Sequence, residues 1–202
     1  MKSWNRYKRG FDLVALVLGH LLLSPVFIVL WTVIPLWIWL EDRGPVFYSQ
    51  NRVGRNGRVF RIRKFRSMVV GADRLGPAWT IHDDPRRTRV GRFLRKRGLD
   101  EIPELMSVWT GDLSLVGPRP LNEEEHATMI REIPDFDKRL SVRPGVTGLA
   151  QIYNRSDDPY SKLEFDLNYI GSMSFALDMK LIVVSVWYSV FGKVDDRSSR
   201  ER

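Results

Sequence analysis

Asp100 and Glu101 are adjacent carboxylates that stand just before Pro103, a residue suited to the first turn of a helix. Backbone N–H groups and the helix dipole at such a start favour carboxylates and phosphates. Immediately upstream, Arg86, Arg87, Arg89, Arg92, Arg95, Lys96 and Arg97 put seven basic residues into twelve. Lys64 and Arg66 precede that run, and Arg119 and Arg143 follow it on Pro/Gly-rich turns. Two carboxylates among so many fixed cations point to phosphate chemistry. One carboxylate could attack phosphorus while the other holds a divalent cation. A salt-bridged helix start would use the same pair, so the spacing alone leaves both readings open.

The elements that must position these groups are legible as patterns. Pro45–Tyr48 and Val59–Ile62 read as short strands, and Gly54-Arg55-Asn56-Gly57 between them carries the Asn-Gly hairpin signal. Residues 86–99 read as a helix with Val90, Phe93, Leu94 and Arg97 on one side. A second helix is expected from Pro103 through Leu105, Met106 and Trp109 to Gly111. Leu113–Val116 is a short apolar run entering the turn Gly117-Pro118-Arg119-Pro120. Glu123 to Asp137 reads as an exposed acidic helix. A strand-like stretch is expected to end at Ile152-Tyr153, and residues 178–191 form a late apolar helix that packs in the core or lies in a membrane interface.

Length and charge narrow the class. The chain has 202 residues and a formal charge of +8, with 20 basic and 7 acidic side chains in its first hundred residues. That asymmetry calls for a polyanionic partner: nucleic acid, an anionic membrane or a phosphorylated substrate. Cys is absent, which excludes disulfides, Cys-based zinc sites and thiolate catalysis. His20, His82 and His126 show no ligand or triad spacing. Tyr153, Tyr160 and Tyr169 are candidates for a pocket border, with ordinary packing as the alternative.

Leu13 to Leu40 is 28 residues without Asp, Glu, Lys or Arg. As a helix it would reach ~42 Å, longer than a ~30 Å hydrocarbon core. Ser24-Pro25 near its middle predicts a kink or break, and Pro35 a second irregularity. Both flanks are basic: Lys2, Arg6, Lys8 and Arg9 before it, and eight Lys or Arg within residues 41–66 after it. Basic flanks favour the cytoplasmic side. A helix that enters one leaflet, bends at Ser24-Pro25 and returns satisfies both flanks; a kinked single span is the alternative.

The combination of motifs is more specific than any one of them. Ser24-Pro25, Lys64-Phe65-Arg66-Ser67-Met68, Asp84-Pro85-Arg86, Leu99-Asp100-Glu101-Ile102-Pro103-Glu104-Leu105, Gly111-Asp112-Leu113-Ser114-Leu115-Val116-Gly117-Pro118-Arg119-Pro120 and Arg143-Pro144-Gly145-Val146-Thr147-Gly148 occur in this order. From about Lys8 to about Val190 the chain resembles the bacterial sugar transferases, the monotopic phosphoglycosyl transferases, in their minimal catalytic form without additional N-terminal membrane helices.

The resemblance implies a mixed, helix-rich α/β fold. Residues 1–42 would form a re-entrant membrane helix broken at Ser24-Pro25, residues 43–192 a membrane-associated catalytic domain with a β-hairpin and interfacial helices, and residues 193–202 a polar tail. It implies transfer of a sugar-1-phosphate from a UDP-sugar to a polyprenyl phosphate of the undecaprenyl type, with release of UMP, as the start of surface-polysaccharide or glycoconjugate synthesis. Asp100 would be the nucleophile of a ping-pong mechanism, forming a phospho-sugar aspartyl intermediate. Glu101 would help to hold Mg²⁺. Lys64, Arg95 and Arg119 would lie near the phosphates, Arg143 would meet a donor or acceptor phosphate, and Asp166 would stand near the site. The implied location is the inner membrane, monotopic, with the catalytic domain facing the cytoplasm. Implied partners are membrane phospholipids and downstream glycosyltransferases. Glu104 and Ser107 depart from the family pattern, where Gln and Asn are common. A membrane-tethered nucleic-acid binder and a catalytically silent scaffold are the rival classes; the first would bind with steep salt dependence, and either would tolerate loss of Asp100.

Overall fold

The computed structural model describes residues 7–76, 84–156 and 158–191. Lys2, Arg6, His82 and the tail from residue 193 lie outside these residues. The fold is helix-rich with two small sheets.

Two helices open it, α1 (Tyr7–Leu22) and α2 (Ser24–Asp42), parted at Leu23. Pro25 lies in the first turn of α2, where a missing N–H costs nothing, but it cannot continue α1. The imidazole of His20 stacks on Phe27 with ring centroids 4.4 Å apart. Along a straight helix these residues would be separated by ~10.5 Å, so the chain bends toward that face. Pro35 sits inside α2 without ending it.

The hairpin forms as its turn requires. β1 (Phe47–Val53) pairs antiparallel with β2 (Val59–Phe65), register Val53 to Val59 and Phe47 to Phe65. Asn56 and Gly57 take φ of 55° and 78° at the turn, the left-handed values that Asn and Gly tolerate best. Along β2, Phe60, Ile62 and Phe65 are buried while Arg61 and Arg63 face out. α3 (Arg89–Arg97) is capped by the Thr88 hydroxyl, which accepts from the Gly91 N–H, and ends on Gly98 at φ 66°. Gly91 has no tolerance for a side chain, because a Cβ there would lie 1.9 Å from the Ser67 carbonyl oxygen.

Asp100 and Glu101 do not stand directly at the start of an α-helix beginning at Pro103. They lie within a 3₁₀ segment, Leu99–Glu104, that leads into the short α4 (Leu105–Thr110). Gly98, at φ 66°, turns the chain from α3 into this segment. β3 (Ser114–Val116) pairs in parallel with β4 (Gly145–Thr147). The expected strand through Tyr153 stops at Thr147, and α6 (Leu149–Tyr153) takes its place. Its partner strand runs into Pro118, which has no N–H with which to extend the ladder. α5 (Glu123–Glu132) has a capping box between Asn122 and Glu125 and ends before Pro134, short of the expected Asp137. A 3₁₀ segment over Phe136–Ser141 follows. α7 (Pro159–Ser172) and α8 (Phe175–Val190) complete the order.

Both N-terminal helices dock on the domain. Leu16 of α1 packs with Phe60, Ile62, Val108 and Leu113. Ile34 and Ile38 of α2 pack with Phe65, Val90 and Leu94. The Glu41 carboxylate near the end of α2 accepts from the Arg89 and Val90 N–H groups at the start of α3. Between these docked ends, Leu21, Leu22, Leu23 and Val26 are exposed. α2 is 19 residues long with a mean hydropathy of 1.6, long and apolar enough to cross a membrane.

Candidate active site

A cavity of about 880 Å³ opens between the hairpin, the 3₁₀ segment before α4 and the loops that follow β3 and α6. Its wall includes Lys64, Arg95, Asp100, Glu101, Arg119 and Asp166. These are six of the seven phosphate-site residues expected from the sequence. The seventh, Arg143, lines a separate small pocket with Arg55, Arg58 and Asp112.

Lys64 continues the inward row of Phe60 and Ile62 on β2, so its ammonium is carried under the 3₁₀ segment. It donates to Glu101 Oε1 at 2.7 Å and lies 3.0 Å from Glu104 Oε1. Arg119, on the turn after β3, reaches the same Glu101 oxygen at 3.2 Å. Arg95 donates from Nε to Ser67 Oγ at 2.8 Å. Only Arg86 and Arg95 of the seven-residue basic run line the cavity. Arg89, Arg92 and Lys96 are exposed, because the helical turn sends them away from the buried Val90–Leu94 face. Arg97 packs over the Phe93 ring on that outer side.

The charges sort the carboxylates. Burial and the neighbouring Glu101 push the Asp100 carboxyl up, with Lys64 and Arg95 pulling the other way. Burial acts in the same direction on Glu101, but there Lys64 and Arg119 prevail and hold it well below the usual carboxylate range. Burial, then Glu101, pushes Glu104 up to about 7 against the pull of Lys64 and Arg119. Glu101 is therefore the fixed anion of the group, and Glu104 is an acid held at the edge of ionisation.

Glu104 carries a testable cost. An unfolded Glu loses its proton near pH 4.3, whereas the folded one keeps it to about 7. Rising pH across that window favours the unfolded chain. Glu104→Gln should raise stability by about 3–4 kcal/mol near pH 8, with the gain vanishing as pH falls toward 4. Thermal unfolding of both proteins across this range checks it; a pH-independent difference would reject a buried, titrating Glu104.

Two cavity residues were not singled out from sequence. Arg139 forms a buried pair with Asp166 at 2.7 Å and donates to the Arg119 carbonyl, tying the Asp166 helix to the Arg119 turn. Arg52 faces the cavity from β1 and donates to the Pro120 carbonyl at 3.1 Å. For Arg52, strand alternation with the buried Val53 was the one available signal; nothing local marks Arg139. Tyr153, Tyr160 and Tyr169 do not line the cavity. Among the described residues no group of three His, Cys, Asp or Glu is placed to hold a metal ion.

Comparison with known proteins agrees with the motif reading. A model of the family described as bacterial sugar transferase matches residues 3–192. Over 183 residues the chain is 39% identical to the UDP-N-acetylgalactosamine-undecaprenyl-phosphate N-acetylgalactosaminephosphotransferase of Aeromonas hydrophila, a match covering 89% of this chain and 42% of that protein. It is 40% identical over 204 residues to the undecaprenyl-phosphate glucose phosphotransferase of Komagataeibacter xylinus, covering 96% of this chain and 38% of that protein. It is 35% identical over 195 residues to the exopolysaccharide production protein ExoY of Sinorhizobium fredii, covering 89% and 83%. The chain thus spans about two fifths of the length of the first two relatives and most of the third. The chain belongs to the bacterial sugar transferase family.

Proposed function

We propose that the chain is a phosphoglycosyl transferase that moves a sugar-1-phosphate from a UDP-sugar to a polyprenyl phosphate of the undecaprenyl type, releasing UMP. The observation that carries this reading is the buried Asp100 beside Glu101 on a cavity wall that also bears Lys64, Arg95 and Arg119. A cavity of that volume suits a nucleotide sugar. The names of relatives, which act on undecaprenyl phosphate, support the acceptor class.

In the first half-reaction an Asp100 carboxylate oxygen attacks the β-phosphorus. The bond from that phosphorus to the bridging oxygen breaks, and UMP leaves with the electron pair. In the second, an oxygen of the polyprenyl phosphate attacks the same phosphorus and expels the Asp100 carboxylate, giving polyprenyl diphosphate sugar. Lys64, Arg95 and Arg119 lower the repulsion between a carboxylate and a diphosphate and stabilise charge on the departing UMP. Arg139 and Asp166 keep the Arg119 turn in place.

Mg²⁺ fits this donor set in one form. It is commonly held by one or two carboxylates together with substrate phosphates rather than by an all-protein cage, and the site offers one firmly ionised carboxylate, Glu101, next to Asp100. Glu101 would hold the ion with the donor diphosphate, and the ion would supply further screening of the phosphate charge.

The hydrophobic pair α1–α2 is read as a re-entrant hairpin in the inner membrane, with the domain on the cytoplasmic face. Docking of α1 at Leu16 and of α2 at Ile38 on one domain, with exposed leucines at the bend, supports this. A single cysteine at Lys2 or at Asn56 should escape an impermeant thiol reagent in intact cells and react after lysis. Reaction of just one of them in intact cells would reject the hairpin.

The covalent route is tested with a UDP-sugar labelled at the β-phosphate, incubated without acceptor. Label is expected on the protein with matching UMP release. Active enzyme that never retains label would exclude the aspartyl intermediate.

A further inference from the structure

Arg143 was expected at a substrate phosphate, yet it stands in a second pocket that shares no lining residue with the large cavity. This pocket measures about 210 Å³ and is walled by the hairpin turn Gly54–Asn56 with Arg58 and Phe60, by Gly111-Asp112 after α4, and by Arg143. Three arginines line it against one carboxylate, Asp112, whose charge is shared with the Thr110 hydroxyl at 2.8 Å. A fourth cation stands close by. The Arg9 guanidinium from α1 donates to the Val108 and Trp109 carbonyls at 2.6 and 2.8 Å and lies about one atom's width from where a Gly111 side chain would be. Arg143 is partly desolvated and is repelled by Arg9 and Arg55, which together push its pKa down despite Asp12 and Asp112. Like charges gathered from α1, the hairpin turn and the β4 approach are held together by the fold, and an anion among them would relieve the repulsion.

We propose that the pocket of Arg55, Arg58 and Arg143 is a phosphate-binding site separate from the transfer cavity. Its volume lies below the roughly 300 Å³ at which pockets begin to enclose whole small molecules, so a phosphate headgroup fits and a nucleotide sugar does not. Its place favours a phospholipid as the source. Met106 and Trp109 of α4, the helix that runs into the pocket's Gly111-Asp112, are exposed apolar residues, and Trp109 lies 5.9 Å from the His20 ring of α1. A soluble phosphate offers the same chemistry. The phosphate site stands independently of the transferase reading; only its lipid source rests on the membrane placement of α1.

The test uses the full chain in detergent and native mass spectrometry. Dioleoylphosphatidylglycerol, dioleoylglycerol and inorganic phosphate are titrated separately. One phosphatidylglycerol is expected to bind, with dioleoylglycerol at least about tenfold weaker. Arg55→Gln with Arg143→Gln should weaken phosphatidylglycerol by about tenfold or more. Arg131→Gln with Lys138→Gln, the same charge change on an exposed face, should leave it unaltered. Asp112→Asn, which removes the pocket's one anion, should tighten binding and serves if the arginine variants fail to fold. Inorganic phosphate that binds at comparable concentration and is lost in the same arginine variants identifies a soluble ligand at the same site. Phosphatidylglycerol and phosphate binding unchanged in both the arginine pair and Asp112→Asn would overturn the proposal.

Discussion

Asp100→Asn is expected to lower sugar-phosphate transfer by at least about 10³-fold and to abolish retention of the β-phosphate label, with the fold intact. The side chains are isosteric, so the 3₁₀ segment Leu99–Glu104 has no steric reason to rearrange. An amide has neither the charge nor the nucleophilic oxygen to form the acyl phosphate. Burial opposes ionisation of Asp100, so the substitution removes a desolvated charge and should not reduce the thermal midpoint. That combination of lost chemistry and preserved stability separates a nucleophile from a salt-bridged helix start. In the latter case the variant would lose stability and keep turnover. Asp100→Glu keeps the charge but displaces the oxygen by one methylene, and should recover little activity. A nucleic-acid binder or silent scaffold would be indifferent to both changes, so wild-type turnover in Asp100→Asn would reject the proposed mechanism.

The parts of this site that follow local rules were visible in the sequence. Asn56-Gly57 turns the hairpin because two successive residues must take positive φ. Gly111 ends α4 for the same steric reason, whereas Gly98 ends α3 inside the helix read over residues 86–99. Pro25 separates α1 from α2 because it cannot donate into the preceding turn. Once β2 and the 3₁₀ segment are in place, Lys64 meets Glu101 across a separation of 37 residues. That meeting was recoverable from motif order but not from any local pattern. The misplacements share one cause. Arg143, the outer arginines of α3 and the helix at Leu149 depend on which face a residue turns to the rest of the fold and on how far a partner strand extends. Arg139 and Asp166 find each other only because the 3₁₀ segment after α5 crosses α7. A basic run signals charge; direction comes from the buried Val90–Leu94 stripe, and that stripe sends most of the charge away from Asp100.

The largest stability effect is expected at Lys8, a residue first read as a basic membrane flank. Its ammonium is buried, 2.9 Å from Asp178 Oδ2, 2.9 Å from the Val116 carbonyl and 3.0 Å from the Tyr169 hydroxyl. Tyr169 in turn donates to Asp178 Oδ1 at 2.8 Å, and Tyr7 donates to Oδ2 at 2.9 Å. Four elements, α1, β3, α7 and α8, therefore meet at one ion pair in which the ammonium makes three hydrogen bonds and both carboxylate oxygens accept. Removing one charge of such a pair strands the other in low dielectric, at a cost of about 3–5 kcal/mol. Lys8→Met should lower the thermal midpoint by roughly 10 °C in a chain of this length. Adding Asp178→Asn removes the stranded charge and leaves an acceptor for Tyr169, so the double variant should regain most of the loss. That recovery distinguishes a charge penalty from simple loss of packing, which the second substitution would worsen. The same pair fixes α1 to the wall that carries β3, one turn of chain before Arg119. Lys8→Met at permissive temperature should therefore weaken transfer to a membrane-borne acceptor more than formation of the labelled enzyme from the soluble donor. Equal losses in the two half-reactions would mean that Lys8 supports the domain alone, with no special part in holding the N-terminal helices in register with the site.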